Sequence, residues 1–219
     1  MRTYVSPIGY DSRRVTRPVL NTGLGPDDEV YLLRPERESD TERATQAVAD
    51  VEQMLQEIEP EVTITITRIA TDSFESTVID CCDLIATLSA DPETIISLGG
   101  GARDILLPLT IASVTLSKAV DRTLFFSDLD GNVQNWTLPQ LTARIPDKAS
   151  TTFETIVRAD NWLSLSELTT QTDQSKSTVI RHVQELADAG VIETESREQS
   201  KYVRVSFSGE LRWIANQEC

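Results

Sequence analysis

The chain has 219 residues, 39% of them hydrophobic, enough to bury a core in each of one or two domains, so intrinsic disorder is not expected. Its 20 basic residues face 35 acidic ones, a net charge of -15 that by itself counts against a nucleic-acid partner. One histidine and three cysteines, Cys81 and Cys82 being adjacent, count against a disulfide framework, a structural zinc site and a histidine-based catalytic triad.

Taken in chain order, apolar runs at Thr3 to Val5, Val30 to Leu33, Val62 to Ile66, Thr94 to Leu98 and Leu124 to Phe126 read as strands separated by helical patterns. That alternation predicts an α/β fold, a mostly parallel sheet with flanking helices. After the first strand comes Pro7-Ile8-Gly9-Tyr10-Asp11-Ser12-Arg13, placed where open α/β sheets collect ligands, beyond the carboxyl ends of the strands. Tyr10 can stack on a base while Ser12 and Arg13 hold sugar or phosphate; the alternative is a locally packed Tyr10 and a solvated Arg13. Ser39-x-x-Glu42 is a capping box, and Ala44, Ala47, Val48, Val51, Leu55 and Ile58 then recur at helical spacing. The third strand alternates Val62, Ile64 and Ile66 with threonines, which suits a sheet edge. A helix from Ser73 to Leu88 carries Cys81 and Cys82, read as core residues.

The run Leu98-Gly99-Gly100-Gly101-Ala102-Arg103-Asp104 follows the fourth strand and opens an apolar helix. Glycines there let backbone N–H groups approach an anion favoured by the helix N-terminus. No Lys-Ser/Thr follows and position 104 is Asp, so the run is neither a Walker A loop nor a GxGxxG fingerprint. Strand-to-helix turns also use glycines for steric reasons alone, and both readings stay open. Pro108 should kink the following helix unless that helix starts later. Asp128 and Asp130 suit a carboxylate-rich turn better than a metal site, and Val133 to Leu138 should form a hairpin with the fifth strand after Asp130-Gly131-Asn132.

Prolines 139 and 146 fall between periodic segments and mark a hinge at about 139–149, between a domain of residues 1–146 and one of residues 150–219. Before Pro146 lie 12 basic and 23 acidic residues, after it 8 and 12, so the acid load sits in the first part. The second part has the rhythm of a winged helix-turn-helix. Phe153, Ile156 and Val157 mark one helix, Leu165 and Leu168 a second, and Val179, Val183 and Leu186 a third that Gly190 stops. Val191 to Thr194 and Tyr202 to Phe207 alternate as strands around a tip at Glu198-Gln199-Ser200, and Ser208 is expected to cap a closing helix. With Val179, Val183 and Leu186 inward, Ser175, Lys176, Ser177, Arg181 and His182 are the outward candidates for double-stranded DNA, and Arg197, Lys201 and Arg204 those of the wing. Ile180 would meet a thymine methyl or pack inward. The alternative use of this domain is dimerisation or protein contact alone.

No run approaches the roughly 18 apolar residues of a membrane span, and the start MRTYVSPIGY lacks a signal-peptide pattern, so a cytoplasmic protein without a membrane partner is expected. The basic residues are 16 Arg and 4 Lys beside plentiful Asp, Glu and Thr, which points to an extreme halophile, or else to an ordinary acidic protein.

The tract from Ser175 to Ile192 resembles the recognition helix of MarR- and ArsR-like winged-helix domains, which read the DNA major groove. Gly99-Gly100-Gly101-Ala102-Arg103 resembles the Gly-Gly-x-Arg ligand motif of CARF domains, the CRISPR-associated Rossmann-fold family, and Ile8 to Arg13 resembles that family's first-strand loop. Ala102 stands where the family commonly has Thr, and so lacks a hydroxyl. The combination is similar to regulators that join a Rossmann-like CARF domain to a winged helix. The resemblance implies a homodimer whose CARF domains share a pocket for a cyclic oligoadenylate, commonly cyclic tetra-adenylate, with no resident cofactor and no metal. Ile8, Gly9, Tyr10, Asp11, Ser12, Arg13 and Gly99 to Arg103 are then the ligand residues, and the chain a ligand-responsive transcriptional regulator. Two alternatives are a ring nuclease using Arg103 and Ser12, for which no general base is evident, and a constitutive dimeric repressor without a ligand.

Overall fold

The computed structural model describes residues 1–37, 41–197 and 200–217. The capping box at Ser39, the wing tip at Glu198 and Gln199, and Cys219 lie outside the described residues. Two compact units divide the chain, Met1–Leu138 and Pro139–Cys219.

The first unit runs β1 (Thr3–Pro7), α1 (Arg13–Thr22), β2 (Glu29–Pro35), α2 (Thr41–Ile58), β3 (Thr63–Ile69), α3 (Phe74–Leu88), β4 (Thr94–Ser97), α4 (Arg103–Thr115), β5 (Arg122–Phe126) and β6 (Val133–Trp136). The sheet order is β3-β2-β1-β4-β5-β6, parallel except for the antiparallel β5–β6 hairpin, as the alternation of runs predicts. Successive strand residues point to opposite faces, so neighbours in sequence serve different layers. Tyr4, Val30, Leu32 and Ile95 join Val15, Val19, Val48 and Leu55 of α1 and α2 on one face. Val5, Leu33 and Ile96 join Cys81 and Ile85 of α3 and Ile105 and Leu109 of α4 on the other. β3 is an edge strand, which explains its threonine alternation. Cys81 is fully buried, and burial pushes its thiol up to about 12, so it is inert packing material. Helix α4 starts at Arg103 and runs through Pro108.

The second unit is a winged helix: α5 (Ser150–Arg158), β7 (Leu163–Ser164), α6 (Leu165–Thr172), α7 (Lys176–Asp188), β8 (Ile192–Arg197), β9 (Ser200–Val205) and α8 (Phe207–Gln217), with strand order β7-β9-β8. Phe153, Ile156, Leu168, Val179, Val183, Leu186, Val191 and Val203 form its core. Gly190 (φ +73°) lies in the left-handed region after α7. Ser164 and Glu167 form a reciprocal capping box on α6. The cap of α8 is Ser206, not Ser208: the Ser206 hydroxyl accepts from Gly209 N at 3.1 Å, while that of Ser208 accepts from Gln140 N. Residues 139–149, read from their prolines as the hinge, pack with this unit, Ala143, Ile145 and Ala149 lying against its core. Among the described residues no helix is long and apolar enough to cross a membrane.

Candidate functional site

From the carboxyl end of β1 the chain turns towards β2, and from that of the adjacent β4 it turns the other way, towards β5. Such a reversal opens a crevice at the strand ends. Glycines allow the two ends to close on each other. Gly101 sits at φ +95°, and a Cβ there would lie 2.4 Å from the Cβ of Pro7 at the end of β1. A Cβ on Gly99 would lie 2.5 Å from that of Phe126 on β5. The steric reading of the run is therefore met, and the same close approach brings backbone to the crevice.

A cavity of about 600 Å³ occupies it, lined by Ile8, Gly9, Tyr10 and Asp11 after β1 and by Gly100, Gly101, Ala102 and Arg103 at the start of α4. The two stretches singled out in the sequence are thus brought together. Ala102, the N-cap of α4, makes no side-chain cap hydrogen bond, and the end of the helix that attracts anions borders the cavity. Tyr10 is half-exposed, with the Arg43 guanidinium 4.7 Å from its ring centre. Three of the expected residues do not line the cavity. Gly99 is packed against Phe126, Ser12 heads α1, and Arg13, two-thirds exposed, is held by Asp11 through two hydrogen bonds of 2.9 Å. Those bonds from Arg13 keep the Asp11 carboxyl below its ordinary range.

Arg14 and Arg37, which no sequence motif marks, also line the cavity, as does Asp128 from the carboxylate-rich turn. Arg14 reaches Asp128 at 2.6 Å and donates to the Gly99 carbonyl at 3.0 Å. Its position was legible: Val15, Pro18 and Val19 form the buried face of α1, and residue 14 borders that face whereas residue 13 points away. Asp128 sits in the β5–β6 turn, far in sequence from Arg14. Cations at 14, 37 and 103 face carboxylates at 11, 104 and 128 around the cavity. Among the described residues no group of His, Cys, Asp and Glu could hold a metal ion. Below Arg103, Leu107 and Ile111 are exposed at one-turn spacing, an apolar stripe continuing from the cavity along α4.

In the second unit, α7 presents Lys176, Ser177, Ile180 and Arg181 to solvent. Ile180 points outward, 46% exposed. Ser175 is the N-cap, its hydroxyl accepting from Thr178 N at 3.2 Å. His182 does not face outward. It is 3% exposed, with Nδ1 2.9 Å from Thr152 Oγ1, a hydroxyl that also donates to Gln174 at 3.1 Å. Positions 179, 182, 183 and 186 make one helical face, so the same spacing that buried Val179 and Leu186 also buries the histidine. On the wing, Arg197 is paired with Glu195 and Arg204 with Glu193, each at 2.7 Å, and both guanidinium groups lie over the Trp162 ring. Two of the three wing cations are thus already engaged by carboxylates of the same sheet.

Burial lowers the His182 pKa below its usual value, assisted by Arg181 and Lys148 and opposed by Glu185. The unfolded chain therefore binds a proton at a higher pH than the native one. Stability is complete above the ordinary histidine pKa of about 6.5 and is lost as pH falls through the depressed native value. We expect thermal melting of the wild type to fall more between pH 7.5 and pH 5.5 than that of His182→Asn. Parallel profiles would assign the acid sensitivity to other groups.

The sequence model of a Csa3 CRISPR-associated Rossmann-like domain matches residues 2–131. No curated protein sequence matches the chain. Among solved structures, Csm6 of Enterococcus italicus, bound to cyclic hexa-2'-fluoro-hexa-dAMP, is 14% identical with a TM-score of 0.49, the match covering 86% of this chain and 55% of that one. Can2 from Sulfobacillus thermosulfidooxidans, in complex with cyclic tetra-adenylate, is 14% identical with a TM-score of 0.43, covering 98% of this chain and 63% of that one. NolR from Sinorhizobium fredii is 17% identical with a TM-score of 0.30, covering 35% of this chain and 75% of that one.

Proposed function

We propose, from the premise that the chain belongs to the family of the Csa3 CRISPR-associated Rossmann-like domain, that it is a ligand-responsive DNA-binding transcriptional regulator. The observation that carries this reading is the presence in one chain of an anion-suited crevice at the β1/β4 switch point and a winged helix with a solvent-facing α7. The ligand is a cyclic oligoadenylate, its phosphates held by the start of α4 and by Arg103 and a base stacked on Tyr10. The acting form is a homodimer. The exposed stripe of Leu107 and Ile111 beside Arg103 supports this, because a two-fold contact along α4 would bury it and bring two crevices to one symmetric ligand. Binding that favours one dimer arrangement then changes how two winged helices meet DNA.

On DNA, α7 supplies Lys176, Ser177 and Arg181 to the major groove, with Ile180 available to a thymine methyl. Because Arg197 and Arg204 are paired, phosphate attraction by the wing is weak, and base contact and shape carry more of the specificity. Arg181→Ala is expected to weaken binding to the protein's own promoter region by about 1–3 kcal/mol, read by fluorescence anisotropy in molar KCl. Unchanged affinity would remove α7 from the interface.

The test of the whole reading has two parts. A thermal melt with cyclic tetra-adenylate and cyclic hexa-adenylate should show a ligand-dependent rise, since a ligand that binds the native state alone stabilises it. Anisotropy on promoter DNA should then change on adding the same ligand. A shift in neither measurement sinks the regulator reading; DNA binding that ignores a bound ligand reduces the chain to a constitutive repressor.

A further inference from the structure

Charges lining the crevice are paired with one another across elements. Arg14, in the first turn of α1, donates to the Gly99 carbonyl at 3.0 Å and meets Asp128 at 2.6 Å. One turn on, Arg17 donates to the carbonyl of Gly131 at 3.1 Å and lies over the Phe126 ring. Two arginines of one helix therefore clip the same turn, residues 127–132, which joins β5 to β6. The turn is closed on itself by Gly131 N to the Ser127 carbonyl and Ser127 N to the Asn132 carbonyl, both 2.9 Å, so it can move as a unit. Leu129 at its tip is 98% exposed.

Strand β6, which follows, hydrogen-bonds to a single neighbour in the sheet, β5. It ends at Trp136, and the first unit itself ends at Leu138. The turn clipped by α1 thus leads directly into β6, the last element of the first unit before the chain enters the winged helix.

We propose that Arg14 exchanges Asp128 for an anionic group of the ligand, and that this exchange unclips the β5–β6 turn and so alters β6. The proposal rests on the ligand reading above and names its transmitting residues. Asp128 acts as an internal stand-in for a phosphate: its carboxylate meets Arg14 at 2.6 Å, nearer than that of Asp11 at 3.9 Å. The pair is half-exposed, with side chains 33% and 64% accessible, so water and salt screen it and an incoming anion can displace it. A phosphate oxygen takes charge-assisted hydrogen bonds from guanidinium at least as well as a carboxylate does. Once displaced, Asp128 is repelled by the anion that replaced it, and of the two arginine contacts to the turn that from the Arg17 guanidinium to the Gly131 carbonyl remains.

Titrations of wild type, Asp128→Asn and Arg14→Gln with cyclic tetra-adenylate and cyclic hexa-adenylate, each paired with hydrogen exchange over residues 127–136, test this. Asp128→Asn, which keeps the side-chain shape, should bind up to about fivefold tighter because the nearer competing carboxylate is neutralised, that of Asp11 remaining at 3.9 Å. Arg14→Gln should bind at least about tenfold weaker. In the wild type, ligand should accelerate exchange across 127–136; in Asp128→Asn exchange should already be fast, and ligand should change it little. If the wild type binds ligand while Asp128→Asn binds no tighter, or if exchange in this segment ignores the ligand, the exchange mechanism alone is overturned. A wild type that binds neither nucleotide overturns the ligand reading and the exchange together.

Discussion

Replacing Gly101 with alanine is expected to destabilise the first unit by about 2–4 kcal/mol, the combined scale of left-handed backbone strain and overpacking in a closed site. The residue sits at φ +95°, and its new Cβ would lie 2.4 Å from Pro7 Cβ and 2.9 Å from the Pro7 carbonyl carbon. Neither neighbour is the end of a flexible chain, so the carboxyl ends of β1 and β4 must part, and the crevice with them. Gly131→Ala is the control. It carries the same kind of strain at φ +69° but crowds the tip of flexible Arg17, at 3.2 Å, with Phe126 Cζ at an ordinary 3.9 Å, so its loss should be the smaller. Thermal melts of the two variants decide the matter: a Gly101→Ala protein that melts like the wild type would show that the strand ends are not in the close contact described.

Arg103→Ala carries the second large effect. A side chain that hydrogen-bonds a charged group contributes about 1.5–3 kcal/mol, and in a two-fold dimer around one ligand the substitution removes two such contacts at once. Cyclic tetra-adenylate affinity should therefore fall by more than about a hundredfold, read by calorimetry, while the melting temperature without ligand stays close to that of the wild type. The second half of that expectation comes from the exposure of Arg103 at the start of α4. A loss of about tenfold would fit a single Arg103 at each ligand and count against the shared pocket, and no loss would take Arg103 out of the site.

Much of the architecture was legible because it depends on local periodicity. The βαβ alternation, the edge position of β3, the α2 helix and the winged-helix order each follow from where apolar residues recur, and tertiary packing did not override them. The pairing of the β1–α1 loop with the glycine run was also accessible, since parallel strands bring all their carboxyl ends to one side. His182 marks the opposite case: its residue type suits a group facing DNA, whereas its spacing from Val179 and Leu186 assigns it to the core. The sequence likewise points to Ser208 as the cap of the closing helix, and the cap is Ser206, because the boundary of α8 depends on where β9 ends its pairing.

The net charge of -15 first counted against nucleic acid, yet its distribution between the two parts of the chain weakens that objection, and this much the sequence determined alone. It also determined the class of each domain and the two stretches that would meet in a crevice, because hydrophobic period and strand direction are properties of the chain read locally. Only the tertiary structure decided which charges remain available. Asp11 engages Arg13, Asp128 engages Arg14, and Glu193 and Glu195 engage Arg204 and Arg197. A charge a few residues along the chain, or on a neighbouring strand or distant loop, changes what a cation can do, and that depends on distances of a few ångströms that no count of residues contains.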